Sequence, residues 1–349
     1  MKKSIKKAML VLGILFVVIV GSSALLSYLN EPLDRDNSAL VNVVVEEGSS
    51  TTDIANALKD ANIIRSVRKF KICSKIWRYD GKYKAGIYSF SQSMTCSEIS
   101  KIIVSGKEST NTFTIPEGYT IKQVAATLAD NRLVDKDKFL EATKDSSAYK
   151  DFDFLDDAQK GKNHLEGYLF PSTYQVATNA DEKQIITTML SQFEQVFTDE
   201  YKKRAKELGY SENEIIIIAS IIEKEAQVDE DRAKIASVIY NRLDKGMNLQ
   251  MCSTIQYILG EAKPVLSIAD TQIDSPYNTY QNSGLPKGPI CSPGEASIKA
   301  ALYPDDTDYL YFVVSEKLDG SHNFSKSYSQ FEKDSAAYEK ALEKQDSGE

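Results

Sequence analysis

Two carboxylates follow a long apolar run in the C-terminal half of this chain. Residues 215–222 contain no charged side chain and lead directly to Glu223 and Glu225. A carboxyl group beside a buried segment is costly to ionise, and a carboxyl that retains its proton can act as a general acid. The alternative interpretation is a core helix whose charged end simply reaches solvent.

The two glutamates have different predicted roles. On an ideal helix they point about 200° apart, so they do not form an adjacent carboxylate pair. Glu225 shares its face with Ile218, Ile221 and Ile222, and we predict that it is the acid. We expect Glu223 to form an ion pair with a neighbouring basic group, for which Arg242 is the candidate.

Composition excludes several classes of function. The chain has 349 residues, enough for two or three domains, with 42% hydrophobic and 26% charged residues. A net charge of −8, with no basic stripe expected beyond the N-terminus, argues against a nucleic-acid partner. Two histidines and four scattered cysteines provide no zinc-binding spacing, so no metal or cofactor is predicted. The pairing of the cysteines is left open.

The N-terminus predicts a membrane anchor. Residues 1–7 are lysine-rich, and the charge-free residues 8–30 would span about 34 Å as a helix, which is enough to cross a bilayer. Acidic residues follow, so residues 1–7 are predicted to form a cytoplasmic tail, with the rest of the protein on the extracytoplasmic face. A cleaved signal peptide is the alternative, although the apolar run continues as far as Leu29.

A strand–turn–helix pattern occurs twice after a linker at residues 31–41. Val43–Val45 and Glu47-Gly48 begin the first copy, and Phe113–Ile115 and Glu117-Gly118 begin the second. Each helix has a predicted apolar face, composed of Ile54, Ala55 and Leu58 in the first and Val124, Ala125 and Leu128 in the second. Thr51 or Thr52 is expected to cap the first helix.

The pattern also suggests a division into domains. Residues 42–110 resemble a LysM-like βααβ unit, a type of module often associated with N-acetylglucosamine polymers. A generic α+β spacer is the alternative. Residues 111–163 are assigned to the second repeat and a polar, loop-like connector at 145–163, and residues 164–349 to a catalytic domain. The fold class is therefore α+β, with an N-terminal transmembrane helix, a LysM-like unit and a mixed α/β catalytic domain whose key glutamate lies on a helix.

The catalytic domain has several predicted helices and one long irregular segment. The helices are expected at 185–197, 214–227, 231–245, 297–302 and 330–344, with a strand at 309–314. Residues 260–293 contain five prolines. Loops of this length in a compact domain are commonly functional, and the tyrosines and glycines here favour an ordered loop that lines the substrate.

An ordered series of motifs then carries a family resemblance. It includes Ala219-Ser-Ile-Ile-Glu-Lys-Glu225, Val238-Ile-Tyr-Asn-Arg-Leu243, Ser275-Pro-Tyr-Asn-Thr-Tyr280, Gly284-Leu-Pro-Lys-Gly-Pro-Ile290 and Gly320-Ser-His-Asn-Phe-Ser325. Together with Glu166-Gly-Tyr-Leu-Phe-Pro171, they resemble the bacterial endolytic murein transglycosylases, the YceG-like proteins. The resemblance covers nearly the whole chain.

The resemblance implies a membrane-anchored lyase that cuts nascent peptidoglycan glycan strands without water. The bond is the β-1,4 link from N-acetylmuramic acid to N-acetylglucosamine, and the product is a 1,6-anhydro end. Glu225 matches the single catalytic glutamate. The resemblance also implies that the cut terminates strand elongation, and it points to cell-wall synthases as functional partners.

Other site residues are matched through the same motifs. Gln250, Asn278, Tyr280 and His322 are predicted to contact sugar hydroxyl and N-acetyl groups, and loop architecture is the alternative for each. Arg242 is predicted to orient Glu223 or Glu225, and Glu166 either lines the cleft or holds a loop. Cys252 stands where many relatives carry an aspartate, which leaves open how Glu225 or the substrate is positioned.

Two further functions remain open at the level of sequence. A non-catalytic glycan-binding scaffold would explain the repeat, the anchor and Cys252. A hydrolytic muramidase would need a second carboxylate, which Asp229 or another carboxylate would supply.

Overall fold

The structure is a computed structural model that describes residues 13, 16, 20–107, 110–144, 146–158, 164–178, 180–263 and 266–347. This part of the chain divides into two compact units. The first comprises the described residues up to 111, together with 176–178. The second comprises the described residues of 112–175 and those from 180 onward.

Short two-stranded sheets and many helices make up the α+β architecture. The strands are β1 (Val41–Val45), β2 (Gly86–Phe90), β3 (Thr110–Thr114), β4 (Thr173–Ala177), β5 (Tyr311–Val314) and β6 (His322–Ser325). They pair as β1–β2, β3–β4 and β5–β6. The helices are α1 (Thr51–Asp60), α2 (Val67–Ile76), α3 (Cys96–Ser105), α4 (Ile121–Asp130), α5 (Lys136–Ala142), α6 (Glu182–Val196), α7 (Asp199–Leu208), α8 (Glu212–Glu225), α9 (Arg232–Asp244), α10 (Cys252–Leu259), α11 (Glu295–Leu302) and α12 (Tyr328–Ser347).

The first unit has the element order β1-α1-α2-β2-α3. β1 and β2 are antiparallel, with Val43 opposite Tyr88. Alternate side chains of these strands, including Val45 and Phe90, point into the core. The order agrees with the predicted βααβ arrangement, and the likeness to a LysM module stays a prediction.

The two copies of the predicted repeat share the way their helices, α1 and α4, begin and the apolar face that each helix buries. Gly48 and Gly118 both have positive φ, at 78° and 74°, which the tight turn before each helix requires. The apolar residues predicted to share a face in α1 and α4 are buried. Capping boxes begin at Ser50 and Thr120. The prediction that Thr51 or Thr52 caps α1 is therefore wrong, because Ser50 does so.

Helix α8 forms the centre of the second unit. Ser211 and Glu214 form its capping box, and all eight residues from Ile215 to Ile222 are buried. α8 packs against α9, α10 and α11, which explains why no side of this stretch is polar. Each buried isoleucine contributes about 1.5–3 kcal/mol through loss of water contact. The helix ends at Glu225, two residues before the predicted end.

The connector differs from its prediction as a polar loop. Two 3₁₀ turns, Ser146–Tyr149 and Asp153–Leu155, lie within it, and Tyr149, Phe154 and Leu155 are buried. Phe154 packs against Tyr168 and Phe193, with ring centroids 5.7 and 4.7 Å away. Too few apolar residues alternate here to produce a helical or strand period. Residues 159–163 of the predicted connector lie outside the described residues.

The predicted N-terminal tail, 1–7, and most of the predicted membrane helix up to residue 19 lie outside the described residues. Residues 20–29 are helical. Among the described helices, none combines the length and the apolar character needed to cross a bilayer. Leu29 is buried in the core of the first unit, where its carbonyl accepts a hydrogen bond from Cys73 Sγ at 3.0 Å.

Candidate active site

Glu225 is the last residue of α8, and its carboxyl group meets the start of another helix. Its Oε1 accepts a hydrogen bond from the Ser253 N–H at 3.1 Å. Ser253 is the second residue of α10, and Met251, which precedes α10, provides no side-chain cap. Glu225 therefore supplies an acceptor to a helix N-terminus, where the helix dipole stabilises negative charge. Among the described residues, no hydrogen bond involves Glu225 Oε2.

Two side chains predicted from the sequence lie beside this carboxyl group. Cys252 Sγ and Tyr280 Oη are 3.2 Å apart. Loss of solvation and the negative charge of Glu225 raise the pKa of the Cys252 thiol. Loss of solvation also raises the pKa of Tyr280, with smaller effects from Cys252 and Glu225. Both groups are therefore neutral hydrogen-bonding partners at physiological pH.

Glu223 is held in a different network on the other side of the helix. Its Oε2 accepts hydrogen bonds from the Gly294 N–H at 3.0 Å and from Ser297 Oγ at 2.8 Å, both at the N-terminus of α11. Arg232 Nη1 lies 3.4 Å from the same oxygen. The prediction of an ion pair is confirmed, but the proposed partner, Arg242, is wrong. Arg232 follows a turn after α8, so helix periodicity could not identify it.

Arg242 organises a loop and contacts neither glutamate. It donates hydrogen bonds from Nη1 to the Leu249 carbonyl at 2.7 Å and from Nε to the Leu310 carbonyl at 2.6 Å. Its guanidinium lies 5.1 Å from the ring centroid of Tyr311. The prediction that Arg242 orients Glu223 or Glu225 directly is therefore wrong. It fixes the segment that leads into α10.

The same segment is fastened to the proline-rich loop around Tyr280. Gln250 has a φ of 53° and donates its N–H to the Thr279 carbonyl at 3.0 Å. Asn248 Nδ2 donates to the Tyr280 carbonyl at 2.9 Å. The Gln250 side chain is exposed at the surface. Gln250 and Tyr280 are thus brought together next to Cys252.

Asn278 and His322 are buried in structural networks. Asn278 donates to the Thr271 and Ile273 carbonyls and accepts the Tyr280 N–H at 2.9 Å, which satisfies the amide within the loop. His322 Nδ1 lies 3.0 Å from Asp231 Oδ2, and the His322 side chain is 3% exposed. In this structure the Asn278 amide and His322 Nδ1 bind the protein itself, and contact of either side chain with sugar stays a prediction.

Glu166 lines a cavity, and it holds the N-terminus of a helix rather than a loop. It is buried, accepts hydrogen bonds from the Ile121 N–H at 2.9 Å and from Tyr257 Oη at 3.1 Å, and lines a cavity. Burial raises the pKa of Glu166 to about 7. Its contact with Ile121 adds an acceptor to the N-terminus of α4, so it stabilises the second repeat as well as the cavity wall.

The cavity has a volume of about 610 Å³ and lies within the second unit. Ser253, the donor to Glu225, is part of its wall, so the cavity adjoins the candidate acid. Ser275, Pro276 and Tyr277 from the proline-rich loop also line it, and a role of this loop in lining the substrate stays a prediction. This volume is in the range typical of ligand sites. Within the described part of the chain, no cluster of residues is suited to hold a metal ion.

Comparison with known proteins identifies the family. The YceG-like family model matches residues 43–337, and the chain belongs to this family. A crystal structure of a YceG-like protein from Listeria monocytogenes is 37% identical, with a TM-score of 0.58, covering 84% of this chain and 99% of that one.

Two curated relatives carry a functional name. A Bacillus subtilis protein named endolytic murein transglycosylase is 36% identical, covering 88% of this chain and 87% of the relative. A Streptococcus pneumoniae protein of the same name is 33% identical, covering 81% of this chain and 56% of the relative.

Proposed function

We propose that this protein is a peptidoglycan lytic transglycosylase, with Glu225 as its single acid and base. The observation that carries the proposal is the geometry of Glu225. One carboxyl oxygen is fixed by the Ser253 N–H, and the other has no hydrogen bond among the described residues. The relatives named endolytic murein transglycosylase support the same substrate class.

The proposed reaction uses this carboxyl group twice. Glu225 first donates its proton to the oxygen of the β-1,4 bond between N-acetylmuramic acid and N-acetylglucosamine, and the bond from C1 to that oxygen breaks. The resulting carboxylate is stabilised by the Ser253 N–H and the N-terminus of α10. It then removes the proton from the muramoyl 6-hydroxyl, whose oxygen attacks C1. This step closes the 1,6-anhydro ring and restores the acid.

The surroundings of Asp229 favour this chemistry over hydrolysis. A muramidase needs a second carboxylate to act as a nucleophile or to activate water. Asp229 was the candidate, but its Oδ1 is bound to Arg232 Nε at 2.9 Å and its side chain is 81% exposed. An internal hydroxyl group removes the need for this second carboxylate.

We further propose that the chain is a single-pass membrane protein that works on nascent strands at the extracytoplasmic face. The lysine-rich N-terminus, followed by charge-free residues, supports this topology. The first unit supports it too, because residues 65–78 contain six basic and no acidic side chains. The expectation of no basic stripe beyond the N-terminus is therefore wrong. Ile72 and Ile76 are exposed on the same helix, α2, as a surface near lipid headgroups would allow.

An anchored active site reaches only glycan close to the bilayer. Cutting there would release or terminate strands made by neighbouring synthases, which are the proposed functional partners. The LysM-like unit, 42–110, is proposed to contribute to glycan binding.

Glu225→Gln separates this proposal from a scaffold function. We expect glycan binding to persist while turnover falls about 10³-fold, the scale of a lost general acid. The measurement is strand cleavage by the full-length protein in detergent, with binding followed by co-sedimentation with insoluble peptidoglycan. Near-normal turnover would remove Glu225 from the mechanism. A wild-type protein that binds strands without cutting them would favour the scaffold.

A further inference from the structure

Lysines are concentrated around the cavity beside Glu225. Lys122 comes from α4, Lys224 from α8 and Lys287 from the proline-rich loop, and all three line the wall. Within the described part of the chain, none of the three forms an ion pair. Three separate elements thus bring positive charge to one cavity, and no carboxylate of the described residues forms an ion pair with these lysines.

Two carboxyl groups also line this cavity, and neither cancels the lysines fully. Glu166 is buried and holds the Ile121 N–H and the Tyr257 hydroxyl, which occupies both of its oxygens. Glu261 lies on the exposed part of the wall. The rest of the wall includes Tyr257 and Tyr277, whose rings are 4.9 Å apart and offer an apolar surface. The cavity therefore suits a ligand that has both carboxylate and apolar parts.

The proposed substrate presents a choice of register. A glycan strand alternates two sugars joined by similar β-1,4 bonds, and a shift by one sugar would place the wrong bond at Glu225. The two sugars differ at O3, where only the muramoyl residue carries a lactyl group. This group ends in a carboxylate or continues into a peptide that bears carboxylates. A cationic subsite next to the acid could distinguish the two registers.

We propose that this cavity binds the carboxylate-bearing substituent on O3 of the muramoyl residue, and so selects which bond is cut. The inference rests on the proposed function and adds a specificity site to it. Lys122 and Lys287 are the residues tested, since both are exposed and neither contacts Glu225 in the structure. Lys299 on α11 is also exposed and does not line the cavity, so Lys299→Gln is the matched control.

The experiment measures kcat/KM for the full-length protein on three forms of uncrosslinked strand. One form carries stem peptides, the second has only the free lactyl carboxylate, and the third has its carboxylates converted to neutral amides. For the double variant Lys122→Gln, Lys287→Gln, we expect kcat/KM to fall about 5- to 10-fold on at least one of the two acidic forms, the size expected for exposed charge contacts. A loss confined to the first form identifies peptide carboxylates as the ligand, and a loss confined to the second identifies the lactyl group.

The neutral strands decide whether the loss reflects recognition. We expect wild type to be less active on neutral strands than on acidic ones, and the Lys122→Gln, Lys287→Gln variant to match wild type on the neutral strands. The Lys122→Arg, Lys287→Arg variant should keep wild-type activity on acidic strands, because it keeps both positive charges. An equal loss by the double variant on all three forms, or no loss beyond that of Lys299→Gln, would overturn the subsite. If wild type produced no anhydro ends from any form, the proposed function itself would have failed.

Discussion

At the scale of single residues, two glutamates on one helix have separate tasks. Glu225 caps α10 from outside and keeps one oxygen available, whereas Glu223 is bound by Gly294, Ser297 and Arg232. The same isosteric change at each position therefore provides a matched pair. Gln at 225 can keep the bond from Ser253 through its carbonyl oxygen, but it cannot donate an acidic proton.

Glu223→Gln is predicted to reduce stability more than activity. It removes the negative charge beside Arg232 in a site where the Glu223 side chain is 8% exposed. We expect the free energy of unfolding to fall by about 1–3 kcal/mol, as for a weakened buried charge network. Chemical denaturation measures the loss, and turnover is compared per folded molecule. A large loss of turnover at unchanged stability would instead assign the chemistry to Glu223.

The raised pKa of Glu166 should make the protein less stable as pH rises. Burial raises its pKa to about 7 from an ordinary value near 4.5. Between these values the native state holds a proton that the unfolded state has released, so the contribution of Glu166 to stability falls as pH rises through this window. The change is up to about 3 kcal/mol at 1.36 kcal/mol per pKa unit. It is complete near pH 8.

Glu166→Gln is the variant that tests this dependence. Its amide can accept from Ile121 and donate to the Tyr257 oxygen without titrating. The free energy of unfolding, measured by denaturant from pH 5 to pH 8, should therefore decline less in the variant than in wild type. Parallel pH profiles for the two proteins would contradict a buried, titrating Glu166.

At the scale of elements, the active site depends on how neighbouring segments approach α8. Gly167 follows Glu166 in a turn with a φ of 92°, and an added Cβ would lie 2.6 Å from Pro289 and 2.9 Å from Ile216. Gly209 ends α7 with a similar φ of 83° and has open space around it. The two glycines share backbone strain and differ in packing.

Gly167→Ala should therefore destabilise the protein more than Gly209→Ala. We expect about 1 kcal/mol at Gly209, from the left-handed conformation alone, and about 2–4 kcal/mol at Gly167, where overpacking adds to it. Thermal and chemical denaturation measure both values. Equal losses would mean that the turn at Gly167 does not pack tightly against α8 and Pro289.

Sequence alone identified those elements whose pattern is local. The apolar faces of α1 and α4, the buried run in α8 and the position of Glu225 can all be read from spacing. The Ser253 N–H cannot, because a backbone donor carries no residue signature. Arg232 was missed because a turn separates it from α8. The partners of Asn278 and His322 within the protein were missed because a polar side chain in the sequence does not reveal what it binds when buried.

At the scale of the whole molecule, the proposed N-terminal anchor determines where the protein works. If residues 8–30 anchor the chain, the full-length protein should sediment with membranes after washing in salt and alkali. In cells whose wall has been removed, added protease should degrade the region after residue 31 while a tag on residues 1–7 is protected. A soluble, mature chain lacking the N-terminal segment would favour the cleaved signal peptide.

In the proposed mechanism, one carboxyl group cuts the strand without water. The most direct measurement is the mass of the new ends after full-length protein is incubated with uncrosslinked peptidoglycan strands. We expect 1,6-anhydro-muramoyl ends, each one water lighter than a hydrolysis product, and their loss in Glu225→Gln. Reducing muramoyl ends formed by the wild-type protein would contradict this mechanism, because hydrolysis would require a second catalytic group that Glu225 alone does not supply.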